Sequence, residues 1–73
     1  MPHIVIKAFS GNSQETLQEA AEQVAAVIQK TLDKPLKSIS VSVEEYSPED
    51  WKIVYDEYID NKDNVLIKPG YTM

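Results

Sequence analysis

A stripe of apolar residues at helical spacing limits this chain more than any other feature. Leu17, Ala20, Ala21, Val24, Val27, Ile28 and Leu32 recur every three or four residues, which marks one buried face of a helix. Asn12 with Glu15 three residues later has the form of a capping box, so the helix is predicted from about Ser13 to Leu32. Asp33-Lys34-Pro35 ends it, because a residue before proline avoids the helical region. Alternating segments flank the stripe. His3–Phe9 reads as a first strand, with Ile4, Ile6 and Ala8 on one face and His3, Val5, Lys7 and Phe9 on the other. Lys37–Glu45 reads as a second, with Ile39, Val41 and Val43 toward the helix and Ser38, Ser40, Ser42 and Glu44 away from it. Strand, long helix, strand requires a right-handed crossover between parallel strands.

Beyond this unit, Ser47-Pro48-Glu49-Asp50 starts a second, short helix, with serine as cap, proline at the first helical position and acids in the first turn. Trp51, Val54, Tyr55 and Tyr58 share one face of it, ending near Ile59. Val65-Leu66-Ile67 is predicted as an edge strand or hairpin arm, and Lys68-Pro69-Gly70-Tyr71 as a turn redirecting the tail. The fold class is α/β: one β-α-β domain over residues 1–73 with a short second helix and a C-terminal arm.

A core of 73 residues is small, and domains of this size usually need a staple or a partner. The chain has no cysteine and one histidine, so neither disulfides nor a dedicated zinc site supplies one. Self-association is the expected source of further burial. The net charge of −5 opposes nucleic-acid binding, which needs a basic footprint. No apolar run approaches the ~20 residues of a membrane span, and no signal-peptide pattern opens the chain. A soluble cytoplasmic protein without membrane contact is the expectation.

Most common chemistries find no support. The two glycines, Gly11 and Gly70, build no phosphate loop, and no nucleophile elbow accompanies His3. The adjacent acids Glu44-Glu45 and Glu49-Asp50 read as solvated surface, the lysines are dispersed, and no cofactor or metal is implied. The N-terminus remains. Removal of Met1 leaves Pro2 as a secondary amine anchored to a strand. An α-amino group titrates at about 7.7–8.0, and an apolar setting lowers it further, which suits a base beside a carbonyl at neutral pH.

The order of Pro2-His3-Ile4, the long helix, Leu32-Asp33-Lys34-Pro35-Leu36-Lys37-Ser38-Ile39, Glu44-Glu45-Tyr46 and Trp51 resembles the tautomerase superfamily, of the 4-oxalocrotonate tautomerase kind. The opening, Ser47-Pro48-Glu49-Asp50-Trp51 and the ending Lys68-Pro69-Gly70-Tyr71-Thr72-Met73 look most like the bacterial subgroup that tautomerises phenylpyruvate. The resemblance implies enol–keto tautomerisation of a 2-oxo acid (phenylpyruvate-like or a 2-hydroxydienoate), with Pro2 as general base. It implies a site between subunits whose sheets join, walled by Trp51 and Phe9, with Ser38 contributing. A homodimer is favoured over a hexamer.

The chain departs from the family in lacking arginine altogether. The carboxylate-binding arginine after strand one aligns with Asn12, and a second, in strand two, aligns with Ser40. A charge-assisted hydrogen bond contributes roughly 1.5–3 kcal/mol, so this loss weakens carboxylate binding about 10- to 100-fold unless replaced. Asn12, Ser38 and Ser40 are candidate hydrogen-bond donors, and Lys7 or Lys37 a candidate substitute charge. An apolar monocarboxylate is then the expected substrate. The alternatives are another proline-based reaction, dehalogenation or hydration, and an oligomeric binding module that kept the fold without the chemistry.

Overall fold

The computed structural model describes all 73 residues. Strand β1 (His3–Phe9) is followed by helix α1 (Gln14–Thr31), a 3-10 turn (Leu36–Ser38) and strand β2 (Ser40–Tyr46). The two strands pair in parallel, His3 opposite Ser40 through to Phe9 opposite Tyr46. Backbone bonds extend the ladder at both ends, from Ser40 N to the Pro2 carbonyl (3.2 Å) and from Ser10 N to the Tyr46 carbonyl (2.8 Å). A 3-10 turn (Pro48–Asp50) leads into helix α2 (Trp51–Val54), which widens into a single π-helical turn (Tyr55–Ile59). No helix is long and apolar enough to cross a membrane.

Helix α1 starts one residue later than the capping-box reading implies. Ser13, not Asn12, is the N-cap, its Oγ accepting from Thr16 N at 3.1 Å. Asn12 is drawn away because its amide reaches back to the Phe9 carbonyl (3.0 Å) and across to Glu45 Oε2 (3.3 Å). At the other end, Asp33 adopts φ 54, and Lys34 N bonds to the Gln29 carbonyl at 3.2 Å. That is a Schellman closure, with aspartate in the left-handed position glycine more often takes. Pro35 lies beyond this stop rather than causing it.

Helix α1 lies over one face of the sheet, with Leu17 and Ala21 bordering a groove against Val41 and Val43. The α2 segment lies on the opposite face, where Trp51 meets Phe9 and Tyr46, and Tyr58 covers Lys7. Both faces are covered, as a parallel pair requires. The α1 stripe divides. Leu17, Ala21, Val24, Ala25 and Ile28 are half-buried, whereas Ala20, Val27 and Leu32 are exposed. Its apolar arc is wider than two strands can cover.

The predicted strand at Val65–Ile67 is absent. These residues form no ladder, and Leu66 and Ile67 are 93% and 90% exposed. A strand needs a neighbour for its N–H and C=O groups, and this segment meets no sheet edge within the chain. Strand β2 also begins at Ser40 rather than Lys37, because Leu36–Ser38 close a 3-10 turn.

Only Val54 and Tyr55 are buried, at 3% and 5% exposure, and no side chain is sealed completely from solvent. The accessible surface is 5790 Å², against about 4,600 Å² expected for a compact chain of this mass. The radius of gyration is 13.7 Å, against about 11 Å for a compact domain of this length. The excess surface is apolar: Val5, Phe9, Val27, Leu32, Ile53 and Tyr58 are among the exposed residues.

The cap geometry gives a direct test. Ser13→Ala should lower stability by about 1 kcal/mol in urea denaturation at fixed protein concentration. An unchanged midpoint would show that another group caps the helix.

Candidate active site

The residues singled out in the sequence fall into two groups, at opposite ends of the strand pair. The first surrounds the N-terminus. Pro2 is half-buried and its carbonyl is held by Ser40 N, whereas Met1 is 97% exposed. His3 projects across the ladder: its Nδ1 lies 2.7 Å from Ser40 Oγ and its Nε2 3.3 Å from Ser42 Oγ. The alternation that places Ser40 and Ser42 on one face of β2 therefore brings both hydroxyls to one imidazole. Ser38, in the 3-10 turn just before, spends its hydroxyl on the Pro35 carbonyl at 2.8 Å. Lys37 is exposed in the same turn.

The second group lies at the C-terminal end of the strands. Phe9 and Trp51 meet edge to face, with ring centroids 5.3 Å apart and planes at 88°. Tyr46 braces the other side of Trp51 at 6.2 Å. Trp51 Nε1 donates to the Tyr71 hydroxyl at 2.9 Å, and the Tyr71 ring also lies 5.8 Å from that of Tyr55. Phe9, Trp51, Tyr71 and Met73 line an apolar hollow of about 500 Å³. It has room for an aryl group and more, and bonding the indole N–H to Tyr71 removes the polar atom that would oppose burial. A second hollow of about 420 Å³ under the tail, lined by Tyr55, Asp60, Lys62, Asp63, Lys68 and Tyr71 among others, contains none of the candidate residues.

Between the two groups sits Lys7. Its Nζ donates to Glu44 Oε2 (3.1 Å) and to the Tyr46 hydroxyl (3.0 Å), and Tyr46 in turn donates to Glu44 (2.9 Å). The Tyr58 ring covers the ammonium at 4.6 Å, a cation–π geometry. The Tyr46 hydroxyl, then Glu44, hold the Lys7 ammonium above the ordinary lysine range, against a partial opposing push from burial. The same contacts, Lys7 first and Tyr46 second, hold the Glu44 carboxyl below its usual range. Lys7 is thus committed to a closed triangle across the two strands, and the Tyr58 ring over its ammonium ties the π-helical turn to the sheet.

Seven strand steps separate Pro2 from Phe9, about 23 Å at 3.3 Å per residue. One chain cannot bring its own Pro2 to its own Phe9–Trp51 wall. Asn12 belongs to the aromatic end, where it ties Phe9 to Glu45; Ser38, Ser40 and Lys37 belong to the Pro2 end. Sequence reasoning missed the His3–Ser40–Ser42 cluster, because its partners lie 37 and 39 residues apart. It also missed Tyr71 and Met73 as lining residues. The signals available were the lone histidine beside Pro2 and an aromatic just after a Pro-Gly turn.

Comparison with known proteins agrees with this architecture. Residues 2–62 match the family model described as tautomerase enzyme. A tautomerase PptA of Pectobacterium atrosepticum is 43% identical over 75 residues, covering 99% of both chains. A probable tautomerase of Xylella fastidiosa is 38% identical, covering 97% of this chain and 89% of its own. Among solved structures, TomN, a 4-oxalocrotonate tautomerase homologue of the tomaymycin biosynthetic pathway, superposes with a TM-score of 0.66 at 32% identity. The match covers 68% of this chain and 77% of TomN.

The Lys7–Glu44 pair has a defined pH signature. The lowered Glu44 pKa adds stability that is present above its ordinary value of 4.5 and is lost as pH falls through its folded value. The raised Lys7 pKa adds stability that is fully present below its ordinary value of 10.5. The Tm difference between wild type and Glu44→Gln should therefore be flat from about pH 6 to 8 and shrink in acid below the ordinary glutamate value. A difference that persists unchanged in acid would show that the charge of Glu44 contributes nothing.

Proposed function

Since this chain belongs to the tautomerase family and is a tautomerase, we propose that it converts the enol of an apolar 2-oxo monocarboxylate to the ketone, with the Pro2 amine as base. Once Met1 is removed, the amine takes the enol O–H proton, the oxygen–carbon bond becomes a carbonyl, and the prolinium returns the proton to the adjacent carbon. Nothing is oxidised and no co-reactant is consumed. The observation that carries this reading is the setting of Pro2. It is half-buried, tied to β2 through its carbonyl, and preceded by a residue that is 97% exposed. Met1 can leave without breaking a packed contact, and the amine it uncovers has no flexible stem.

The substrate class follows from the aromatic end and from charge. The hollow at Phe9, Trp51, Tyr71 and Met73 favours an aryl tail, and phenylpyruvate is the representative we assign. Lys7 is committed to Glu44 and Tyr46, and Lys52 pairs with Asp56. Of the two candidate charges, Lys37, exposed in the turn before Ser40 at the Pro2 end and without an ion pair, is left to meet the single carboxylate. It acts as a point charge rather than a fork, and one carboxylate is what such a charge can serve.

The separation of about 23 Å along the strand is met by a second copy. Antiparallel pairing of two sheet edges about a two-fold axis sets the Phe9–Trp51 end of one chain beside Pro2 of the other. The surface excess of about 1,200 Å² per chain is of the order one partner buries in a standard or larger interface. We assign a cytoplasmic homodimer, with a hexamer as the alternative assembly.

Two measurements test these assignments. Wild type whose intact mass shows Met1 removed should accelerate ketonisation of phenylpyruvate enol, and the form retaining Met1, whose Pro2 nitrogen is an amide without a basic lone pair, should lose at least about 100-fold. Dicarboxylate 2-oxo acids should react more slowly than phenylpyruvate. Equal rates for the processed form and the form retaining Met1 would replace the base reading with that of a binding module or a different reaction. Sedimentation equilibrium should give at least twice the 8.3 kDa chain mass; a monomer at micromolar concentration would remove the shared site.

A further inference from the structure

The Pro2 amine needs more than a place on a strand, because general-base catalysis depends on sub-ångström placement of the base. The pyrrolidine ring fixes the nitrogen relative to Cα. The remaining freedom is rotation about Pro2 Cα–C, which swings the ring relative to the Pro2–His3 peptide plane. Whatever holds that plane therefore sets the reference frame for the amine. Ser40 holds this plane directly and its flanking side chain as well. Its N–H donates to the Pro2 carbonyl at 3.2 Å, and its Oγ lies 2.7 Å from Nδ1 of His3. Ser42 Oγ meets the far side of the same ring at Nε2, 3.3 Å away. Both ring nitrogens are engaged, although His3, Ser40 and the first ladder rung are exposed.

Chemically the clamp is permissive. A neutral imidazole has one N–H donor and one acceptor nitrogen, and each serine hydroxyl both donates and accepts. Either tautomer is satisfied by rotating the hydroxyls. An exposed imidazole on an ordinary surface strand samples several rotamers; here two hydroxyls from the neighbouring strand select one. The contact contributes little burial, so its effect falls on order rather than on stability.

We infer that His3 and Ser40, with Ser42 in a lesser part, are positioning residues that hold the Pro2 amine in its reactive orientation. The inference rests on the reading of Pro2 as the base. It gives Ser40 a role different from direct contact with the substrate carboxylate, and the two roles separate kinetically. A residue that orients the base lowers kcat and leaves KM nearly unchanged, whereas a group that binds the carboxylate equally in ground and transition states raises KM.

The test is steady-state ketonisation of phenylpyruvate enol by processed wild type, His3→Ala, Ser40→Ala, Ser40→Thr, Ser42→Ala and the His3→Ala/Ser40→Ala double variant, with wild type retaining Met1 as the form that lacks the amine. Circular dichroism and sedimentation establish that each is folded and assembled. Ser40→Ala keeps the backbone bond to Pro2 and removes only the hydroxyl. His3→Ala and Ser40→Ala should each lower kcat about 10- to 100-fold with KM within about two-fold. Ser40→Thr, which restores the hydroxyl, should recover most of kcat, and Ser42→Ala should cost less than Ser40→Ala. The double variant should be little worse than either single, because the pair acts as a unit. Unchanged kcat in both single variants, with the form retaining Met1 inactive, overturns the positioning role and leaves the base reading standing. A raised KM with unchanged kcat in Ser40→Ala overturns it in favour of substrate contact. Full activity in the form retaining Met1 removes the base reading and this inference together.

Discussion

The parallel register of β1 on β2 is the constraint on which the rest of this molecule depends. His3 opposite Ser40 and Phe9 opposite Tyr46 set every later contact. Side chains alternate strictly along a strand, so a slip of one residue would turn Ser40, Ser42, Glu44 and Tyr46 to the helix side and Val41 and Val43 to the other. The Lys7–Glu44–Tyr46 triangle, the aromatic brace on Trp51 and the imidazole clamp beside Pro2 would all be lost at once. The register is therefore specified from two directions: apolar pressure from α1 on one face, and charge and hydrogen-bond pairing on the other.

That same ladder explains why the chain is unfinished alone. A two-stranded parallel sheet leaves both edges unpaired, and helix α1 presents an apolar arc wider than the sheet beneath it. With only Val54 and Tyr55 buried, hydrophobic burial within one chain is too small to offset chain entropy comfortably. The strand length then adds a second reason. It holds the proline and the aromatic wall apart by more than the length of a small substrate, so in the proposed dimer the fold and the site are completed by the same event.

Much of this was legible in the sequence, for identifiable reasons. Helix α1 and both strands carry strong periodicity, and the Ser47-Pro48 start of the α2 segment is a local signal that the structure reproduces, with Ser47 Oγ accepting from Asp50 N at 3.3 Å. What failed was the part that local pattern does not determine. Asn12 and Ser13 are both good caps, and the choice fell to Ser13 because Asn12 had a better tertiary offer at Phe9 and Glu45. Val65-Leu66-Ile67 has strand composition, but a strand exists only where an edge receives it. Lys7 was one of two candidate charges, and its capture by Glu44, Tyr46 and Tyr58 depends on a crossover of 37 residues that periodicity cannot register. The site was legible as a set of residue types and not as a geometry.

The absence of arginine is best understood through that captured lysine. Lys7 points to the face on which the α2 segment packs, and a bare ammonium there would carry an uncompensated desolvation cost. Glu44 and Tyr46 neutralise and cover it, and Tyr58 closes the top. The arrangement turns a cation that could have faced a ligand into a fastener for the wall-bearing segment, since Tyr46 also braces Trp51. Charge at Lys7 serves architecture, and in the proposed site the aromatic wall carries most of the recognition, beside the single point charge of Lys37. A site built this way should discriminate by the apolar body of the substrate more than by its acid groups. Adding a methylene or a ring to an apolar contact changes binding by about 1–3 kcal/mol, comparable to the single charge-assisted bond it replaces. The aromatic wall can therefore recover in area what the missing forks gave in charge, provided the substrate brings a ring to fill it.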